Sequence, residues 1–178
     1  MKKPTTILSE EHQHILKVLS ALSRECDNLK SGGSKLNKEF FSKAIDFIRN
    51  YADKFHHVKE EDILFKELSK DTVEMHCNPM DQMLYEHDLG RGFVSLMEEG
   101  MKENNKEKVL ENAYNYVQLL QGHIFKEDNI LYPMADEALS EASQKSILEL
   151  FSKAEKEKFQ EGARAKYLLL ADELQKMI

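Results

Sequence analysis

Histidine and glutamate stand four residues apart at two places in this 178-residue chain. The first pair is His56 and Glu60, and the second is His123 and Glu127. Residues i and i+4 lie on one face of a helix, so each pair can direct an imidazole and a carboxylate to a common point. These side chains are ligands of divalent transition metals. A single pair of this kind is more often an exposed contact that supports its own helix.

The two pairs belong to an internal repeat, which favours the metal interpretation. Residues 56–65 align without a gap on residues 123–132, and five positions are identical (His, Lys, Glu, Ile and Leu). An adjacent Glu-His pair precedes the motif in each half: Glu11-His12 and Glu86-His87. A solvated surface has no reason to repeat His, Lys and Glu in register with apolar residues. The chain therefore consists of two related helical hairpins.

Two such hairpins, paired about a local twofold axis, bring four histidines and two glutamates into the centre of a bundle. Glutamate is long enough to bridge two ions, and imidazole suits the outer positions. The sequence therefore predicts a dinuclear site with these ligands: His12, His56, Glu60, His87, His123 and Glu127. Glu61 and Asp128 also occupy equivalent positions in the repeat. Two roles are open for them: they accept hydrogen bonds from the ligand imidazoles, or they simply face water.

The spacing of apolar residues predicts an all-α chain. Charged residues make up 32% of it, with 7 Gly and 3 Pro, which favours long helices over a turn-rich β fold. We expect a single domain over residues 1–178: an up-down four-helix bundle over about 5–138 and one additional helix over about 143–177 packed outside it. The clearest predicted loop is residues 30–34, and Pro133 is expected to tighten or end the fourth helix.

The order and spacing of the motifs resemble the HHE cation-binding family of hemerythrin-like domains. The resemblance covers the first four helices and rests on four motifs: Glu11-His12 with Ile15, His56-x-x-x-Glu60 with Phe65, Glu86-His87, and His123-x-x-x-Glu127 with Leu131-Tyr132-Pro133. It implies two non-haem iron ions (Fe²⁺/Fe³⁺) with an oxo or hydroxo bridge and one open position. In hemerythrin that position binds O2 reversibly. Iron also suits the number of ligands, because structural zinc closes with four.

The chain departs from the hemerythrin pattern on its third and fourth helices. Hemerythrin has two ligand histidines one turn apart on its third helix, whereas Met83 and Arg91 stand one turn from His87. Hemerythrin also has an aspartate five residues after the histidine of its fourth helix, whereas Glu127 follows His123 by four.

His57 is the candidate for the missing fifth histidine, and its counterpart in the other half is Ile124. A neighbouring residue points about 100° away around the helix, so His57 must serve the second iron or contact a ligand from behind. As a ligand it would saturate one iron and leave the other open. We therefore include His57 among the predicted metal ligands.

The first functional interpretation is a non-enzymatic protein that binds O2 or a related small diatomic or anionic ligand, for sensing, storage or delivery. No acid–base dyad, nucleophile elbow or phosphate loop accompanies the motifs. The alternatives are a di-iron redox enzyme acting on peroxide or nitric oxide, an iron donor for iron–sulfur cluster repair, and a helical interaction module whose metal is structural.

Composition excludes several other classes. The net charge is -7 and no dense basic stretch occurs, so nucleic acid is not an expected partner. The two cysteines do not make a disulfide framework or a CxxC zinc motif. No apolar run approaches the roughly 20 residues of a membrane span, and no signal core follows the first residues, so a cytoplasmic location is expected.

Overall fold

The computed structural model of the chain describes residues 2–32, 35–158 and 162–178. Residues 33 and 34 of the predicted loop, and residues 159–161 within the predicted last helix, lie outside the described part. The described residues form six helices and no strand, which confirms the predicted all-α class. None of these helices is long and apolar enough to cross a membrane.

Four long helices form a bundle, and two shorter ones follow. Their bounds are α1 Pro4–Lys30, α2 residues 38–68, α3 Met80–Glu103, α4 residues 106–138, α5 Glu141–Lys158 and α6 Ala163–Lys176. Within the bundle, α1 packs against α2 and α4, and α3 packs against α4 and α2. This is the arrangement expected of two adjacent helical hairpins.

Local side-chain chemistry starts α2 and α4 and joins α3 to α4. Asn37 accepts a hydrogen bond from the backbone N–H of Phe40 (3.1 Å), and Asn105 accepts one from Lys108 (3.1 Å). These caps satisfy amide groups that have no partner within the helix. At Gly100 a Cβ would lie 2.9 Å from Cγ2 of Val109, so only glycine lets the two helices approach this closely.

The second helices of the two hairpins, α2 and α4, contain three π-helical stretches in total. They are Ile48–His57 and Glu60–Leu64 in α2, and Glu127–Leu131 in α4. The last two coincide in the repeat, and π-helical turns are often found at functional sites. Directly after the last stretch, α4 continues through Pro133 to its end rather than stopping there.

The hydrophobic core consists of two clusters with a polar layer between them. The larger cluster includes Ile15 of α1, Phe55 of α2, Val94 of α3 and Leu120 of α4. The smaller cluster contains Leu8 of α1 and Leu64 of α2. The histidine and glutamate motifs lie between these apolar positions along each helix, and are therefore sealed at both ends by hydrophobic side chains.

Two helices, α5 and α6, occupy the region in which one additional C-terminal helix was predicted over about 143–177. Gly162 directly precedes α6 with a φ of 84°. This left-handed conformation cannot be part of an α-helix, and glycine adopts it without strain. The break lets the two helices cover different clusters: Phe151 of α5 packs in the smaller one, and Leu174 of α6 in the larger one.

Candidate metal centre

Each bundle helix contributes one buried imidazole to a common centre. These are His12 from α1, His56 from α2, His87 from α3 and His123 from α4, each at most 1% exposed. The rings of His12 and His56 have centroids 4.6 Å apart and planes inclined by 60°. Those of His87 and His123 are 4.6 Å apart and inclined by 61°. The sequence repeat thus produces two imidazole pairs of the same geometry.

Two fully buried carboxylates, Glu60 and Glu127, lie between the two imidazole pairs. Oε2 of Glu127 is 3.3 Å from Nε2 of His12, and its Oε1 is 3.1 Å from Nε2 of His123. Oε2 of Glu60 is 3.6 Å from Nε2 of His56 and 3.5 Å from Nε2 of His87. Each carboxylate therefore contacts both pairs.

The structure brings all seven predicted ligands into two groups that can each hold a metal ion. In each group the candidate ligand atoms lie within 4.8 Å of one another. One group consists of His12, His56, Glu60 and Glu127, and the other of His57, Glu60, His87 and His123. All members are buried, and Glu60 belongs to both groups.

Each of the four paired imidazoles contacts a carboxylate through Nδ1, on the side of the ring that faces away from the centre. The Nδ1 contacts are His12 with Asp128 (2.9 Å), His56 with Glu11 (3.0 Å), His87 with Glu61 (2.7 Å) and His123 with Glu86 (2.8 Å). A carboxylate accepts a hydrogen bond here, so each Nδ1 carries a proton, and Nε2 is the ring nitrogen that faces the centre.

These partners resolve one alternative and add residues that the sequence did not reveal. Glu61 and Asp128 accept from imidazoles rather than simply facing water. Glu11 and Glu86 do the same, although no role was predicted for them. The duplicated Glu-His dipeptides were the sequence signal for this role. In each dipeptide the glutamate points in a different direction from its neighbouring histidine and reaches the histidine of the next helix.

Lysines of the repeat support two of these carboxylates. Lys59 is 1% exposed and donates to Oε1 of Glu11 (2.5 Å) and to Oε1 of Glu155 in α5 (2.6 Å). Lys126 pairs with Glu86, but 36% of its side chain is exposed. The lysine that is identical in both halves of the repeat was the sequence signal for this role. Lys59 is more buried than Lys126 because α5 covers it and pairs it with Glu155.

Tyr132 completes the contacts of Glu60. Its hydroxyl donates to Oε1 of Glu60 (2.6 Å), and its ring stacks on His12 with centroids 5.6 Å apart. The hydroxyl is also 3.4 Å from Nε2 of His12, at the edge of the centre.

The remaining carboxylate oxygens of Glu60 and Glu127 have no hydrogen-bond partner among the described residues. They are Oε2 of Glu60 and both carboxylate oxygens of Glu127, and all three are buried. In addition, Nε2 of His87 lies 2.9 Å from Nε2 of His123, so the two ring nitrogens converge on one point. Buried polar atoms without partners are costly. A cation at this position would accept all of these lone pairs, so the donor set fits a metal.

The family model of the hemerythrin HHE cation-binding domain matches residues 3–135. The chain belongs to this family. The match spans the four bundle helices and ends before α5 and α6. Comparisons with curated proteins and with solved structures give no significant match. The predicted resemblance is thereby confirmed.

Electrostatics within this HHE domain differ between the two buried carboxyl groups, Glu60 and Glu127. Burial raises the pKa of Glu60 well above its usual range, and the nearby charge of Glu127 adds to the effect. Burial also opposes ionisation of Glu127, but the positive charges of His123 and His12 outweigh it and hold its pKa well below the usual range. The surroundings thus oppose ionisation of Glu60 and favour ionisation of Glu127.

Arg91 takes part in the centre although it is no metal ligand. It stands one turn after His87 and contacts Oε1 of Glu61 (2.6 Å) and Oδ1 of Asp53 (2.7 Å). The arginine therefore holds the carboxylate that contacts His87.

His57 has surroundings unlike those of the other four histidines. Its ring stacks on His87 with centroids 3.8 Å apart and planes inclined by only 13°. Its Nδ1 is 3.5 Å from Oδ1 of Asp53 and has no hydrogen-bond partner. Burial lowers its pKa well below the usual range, and the neighbouring His87 adds to the effect. A ligand role for His57 stays a prediction.

We expect Lys59→Met to destabilise the metal-free protein by about 3 kcal/mol, because it leaves the buried Glu11 without its ion pair. Lys126→Met, the equivalent change in the other half, should cost about 1 kcal/mol or less, since Lys126 is partly solvated. Urea unfolding of the two chelator-treated variants measures the difference. Equal losses would show that the burial of Lys59 has no energetic consequence.

Proposed function

We propose that this protein holds two iron ions and binds O2, or a related small ligand, for sensing, storage or delivery. The observation that carries the proposal is the set of unpartnered oxygens of Glu60 and Glu127 among four inward-facing Nε2 atoms. Such a set offers enough ligand atoms for two cations. The described residues leave these oxygens without hydrogen-bond partners of their own.

The proposed ligands divide between the two ions. His12 and His56 would hold one, His87 and His123 would hold the other, and Glu60 and Glu127, which each contact both imidazole pairs, would contribute to both. An iron pair in such a site supplies reversible redox chemistry for a small ligand. Histidine and carboxylate ligands in this number suit iron, whereas structural zinc sites close with four ligands.

Several features of the surroundings support reversible binding. The carboxylates behind the imidazoles fix the ring orientations, which preserves the site when no metal is present. Hydrophobic clusters seal the polar layer at both ends and limit the access of water and protons. A bound ligand that meets few protons is released unchanged rather than reduced.

Tyr132 favours a second candidate, a redox enzyme acting on peroxide or nitric oxide. Its hydroxyl lies 3.4 Å from Nε2 of His12, beside the proposed ion, and burial raises its pKa well above the usual range. The hydroxyl therefore keeps its proton, which it donates to Glu60, so this pair holds a proton beside the proposed ion. Reduction of peroxide requires protons, so this residue supports the enzyme more than the carrier.

Metal analysis and optical spectra of anaerobically purified protein test the proposal. We expect two irons per chain and an absorption band that appears with O2 and disappears when O2 is removed. Catalytic loss of added peroxide, without a reversible band, would support the enzyme instead. Fewer than two metals per chain, with unfolding on chelation, would indicate a structural metal and contradict both.

Replacement of either bridging carboxylate should abolish binding of the iron pair. We expect Glu60→Ala and Glu127→Ala to lose dinuclear iron, because each carboxylate contacts both imidazole pairs, while the helices remain largely intact. Iron analysis and circular dichroism measure the two effects.

The matched control for these variants is His14→Ala. His14 lies in α1 near His12 but belongs to neither metal group, and its ring meets Tyr51 edge-on at 6.3 Å. Full iron content is expected for this variant. If Glu60→Ala or Glu127→Ala still bound two irons with an unchanged spectrum, the bridging assignment would be wrong.

Removal of the metal should lower the melting temperature by about 5–10 °C. A metal that binds only the native state stabilises it by about 2.7 kcal/mol at a free concentration 100 times its Kd, and each kcal/mol corresponds to about 2–4 °C for a chain of this size. Calorimetry of the iron-loaded and chelated proteins measures the shift. Identical melting temperatures would argue that no metal occupies the buried centre.

A further inference from the structure

Two ion pairs of Lys59 connect the C-terminal helix α5 to the metal centre. Its ammonium donates to Oε1 of Glu11 in α1 (2.5 Å) and to Oε1 of Glu155 in α5 (2.6 Å). The other oxygen of Glu11, Oε2, accepts a hydrogen bond from Nδ1 of His56 (3.0 Å). A series of contacts therefore leads from Glu155 through Lys59 and Glu11 to a predicted metal ligand.

The surroundings of Lys59 hold its ammonium between the two carboxylates. Lys59 is 1% exposed, and its Nζ lies 3.6 Å from the ring centroid of Phe55 and 5.8 Å from that of Phe151 in α5. Aromatic faces attract a cation at such distances. Charges that are shielded from water are weakly screened, so the attraction of Lys59 for Glu11 depends on the charge of Glu155.

The equivalent lysine of the other half has different surroundings. Lys126 pairs with Glu86, which accepts from Nδ1 of His123 (2.8 Å), but 36% of the Lys126 side chain is exposed. Solvent screens this charge. The repeat thus supplies lysine and glutamate in both halves, and α5 adds a second carboxylate to the lysine of the first half. This helix begins at Glu141, beyond the residues 3–135 that the family model matches.

We infer that Glu155 is a positioning residue of the metal centre, which acts through Lys59 and Glu11 on the donor strength of His56. The inference rests on the proposed function, in which His56 holds one of two iron ions. An imidazole whose Nδ1–H is drawn towards a carboxylate is a stronger electron donor at Nε2. Glu155 takes up part of the charge of Lys59, which leaves Glu11 a stronger acceptor for His56. The charge and position of α5 therefore tune this ligand.

Glu155 is also the member of this series that solvent reaches. Its side chain is 32% exposed, whereas Lys59, Glu11 and His56 are at most 1% exposed. A displacement of α5 would therefore change the centre without touching a metal ligand. Coupling of this kind is reciprocal, so a change of charge at the centre alters how firmly α5 is held. The series thus gives a sensor a route from its metal to its surface.

Glu155→Gln tests the inference first in the metal-free chain. The substitution keeps the size of the side chain and removes its charge, so Lys59 pairs with Glu11 alone and Glu11 becomes a weaker acceptor. We expect the Nδ1 proton of His56 to shift upfield in the NMR spectrum of the chelator-treated protein. The signal is assigned by its loss in His56→Ala.

The same substitution should raise the reduction potential of the iron-loaded protein. The oxidised centre carries more positive charge, so it loses more stability than the reduced centre when a negative charge and the stronger donation of His56 are removed. We expect the ratio of reduced to oxidised centre at a fixed potential to increase by about tenfold, equivalent to about 59 mV for one electron. A spectroelectrochemical titration measures the shift.

Glu157→Gln is the matched control. It lies in the same helix and undergoes the same change of charge, but its side chain is 63% exposed and lies 3.8 Å from Lys153. We expect the resonance of His56 and the reduction potential to equal those of the parent protein. Glu155→Asp, which keeps the charge, should restore most of both shifts.

A double-mutant cycle tests the route through Lys59. In the background of Lys59→Met, Glu155→Gln should leave the resonance of His56 unchanged, since the connecting charge is absent. A shift as large as in the parent background would overturn the inference. So would an unchanged resonance in Glu155→Gln alone, or an equal shift in Glu157→Gln. A parent chain that takes up no iron contradicts the proposed function, whereas the resonance of His56 still tests the connection to α5.

Discussion

The burial of Glu60 and Glu127 is the constraint on which the rest of the structure depends. Two carboxylates in a bundle core oppose each other's ionisation, and neither finds enough hydrogen-bond donors in the described residues. The core compensates with imidazoles directed at their free oxygens. The arrangement is tolerable for a metal-free chain and favourable once cations enter, so folding and metal binding share the same side chains.

The carboxylates behind the imidazoles also determine how the four helices are arranged. Glu11 joins α1 to His56 of α2, Glu61 joins α2 to His87 of α3, Glu86 joins α3 to His123 of α4, and Asp128 joins α4 to His12 of α1. These contacts form a closed ring around the bundle. A shift of one helix by a single turn would break two of them, so the ring favours one register over its alternatives.

Sequence reasoning located the centre because the necessary signal was local and duplicated. The spacing of His56 and Glu60, repeated at His123 and Glu127, identified helix faces without any knowledge of tertiary contacts. It did not show which carboxylate stands behind which imidazole, since that depends on the neighbouring helix. The π-helical turns and the break at Gly162 were missed as well, because apolar periodicity changes little across either feature.

The two halves keep the same ring of contacts but differ in what surrounds it. In the first half, α5 buries Lys59 behind Glu11, whereas Lys126 in the second half remains partly solvated behind Glu86. In place of Ile124, the first half has His57, whose ring crosses to His87 of the second half. The long π-helical stretch Ile48–His57, which has no counterpart in α4, ends at this residue. Duplication thus accounts for the two imidazole pairs of the same geometry, and these departures from symmetry give the two pairs different surroundings.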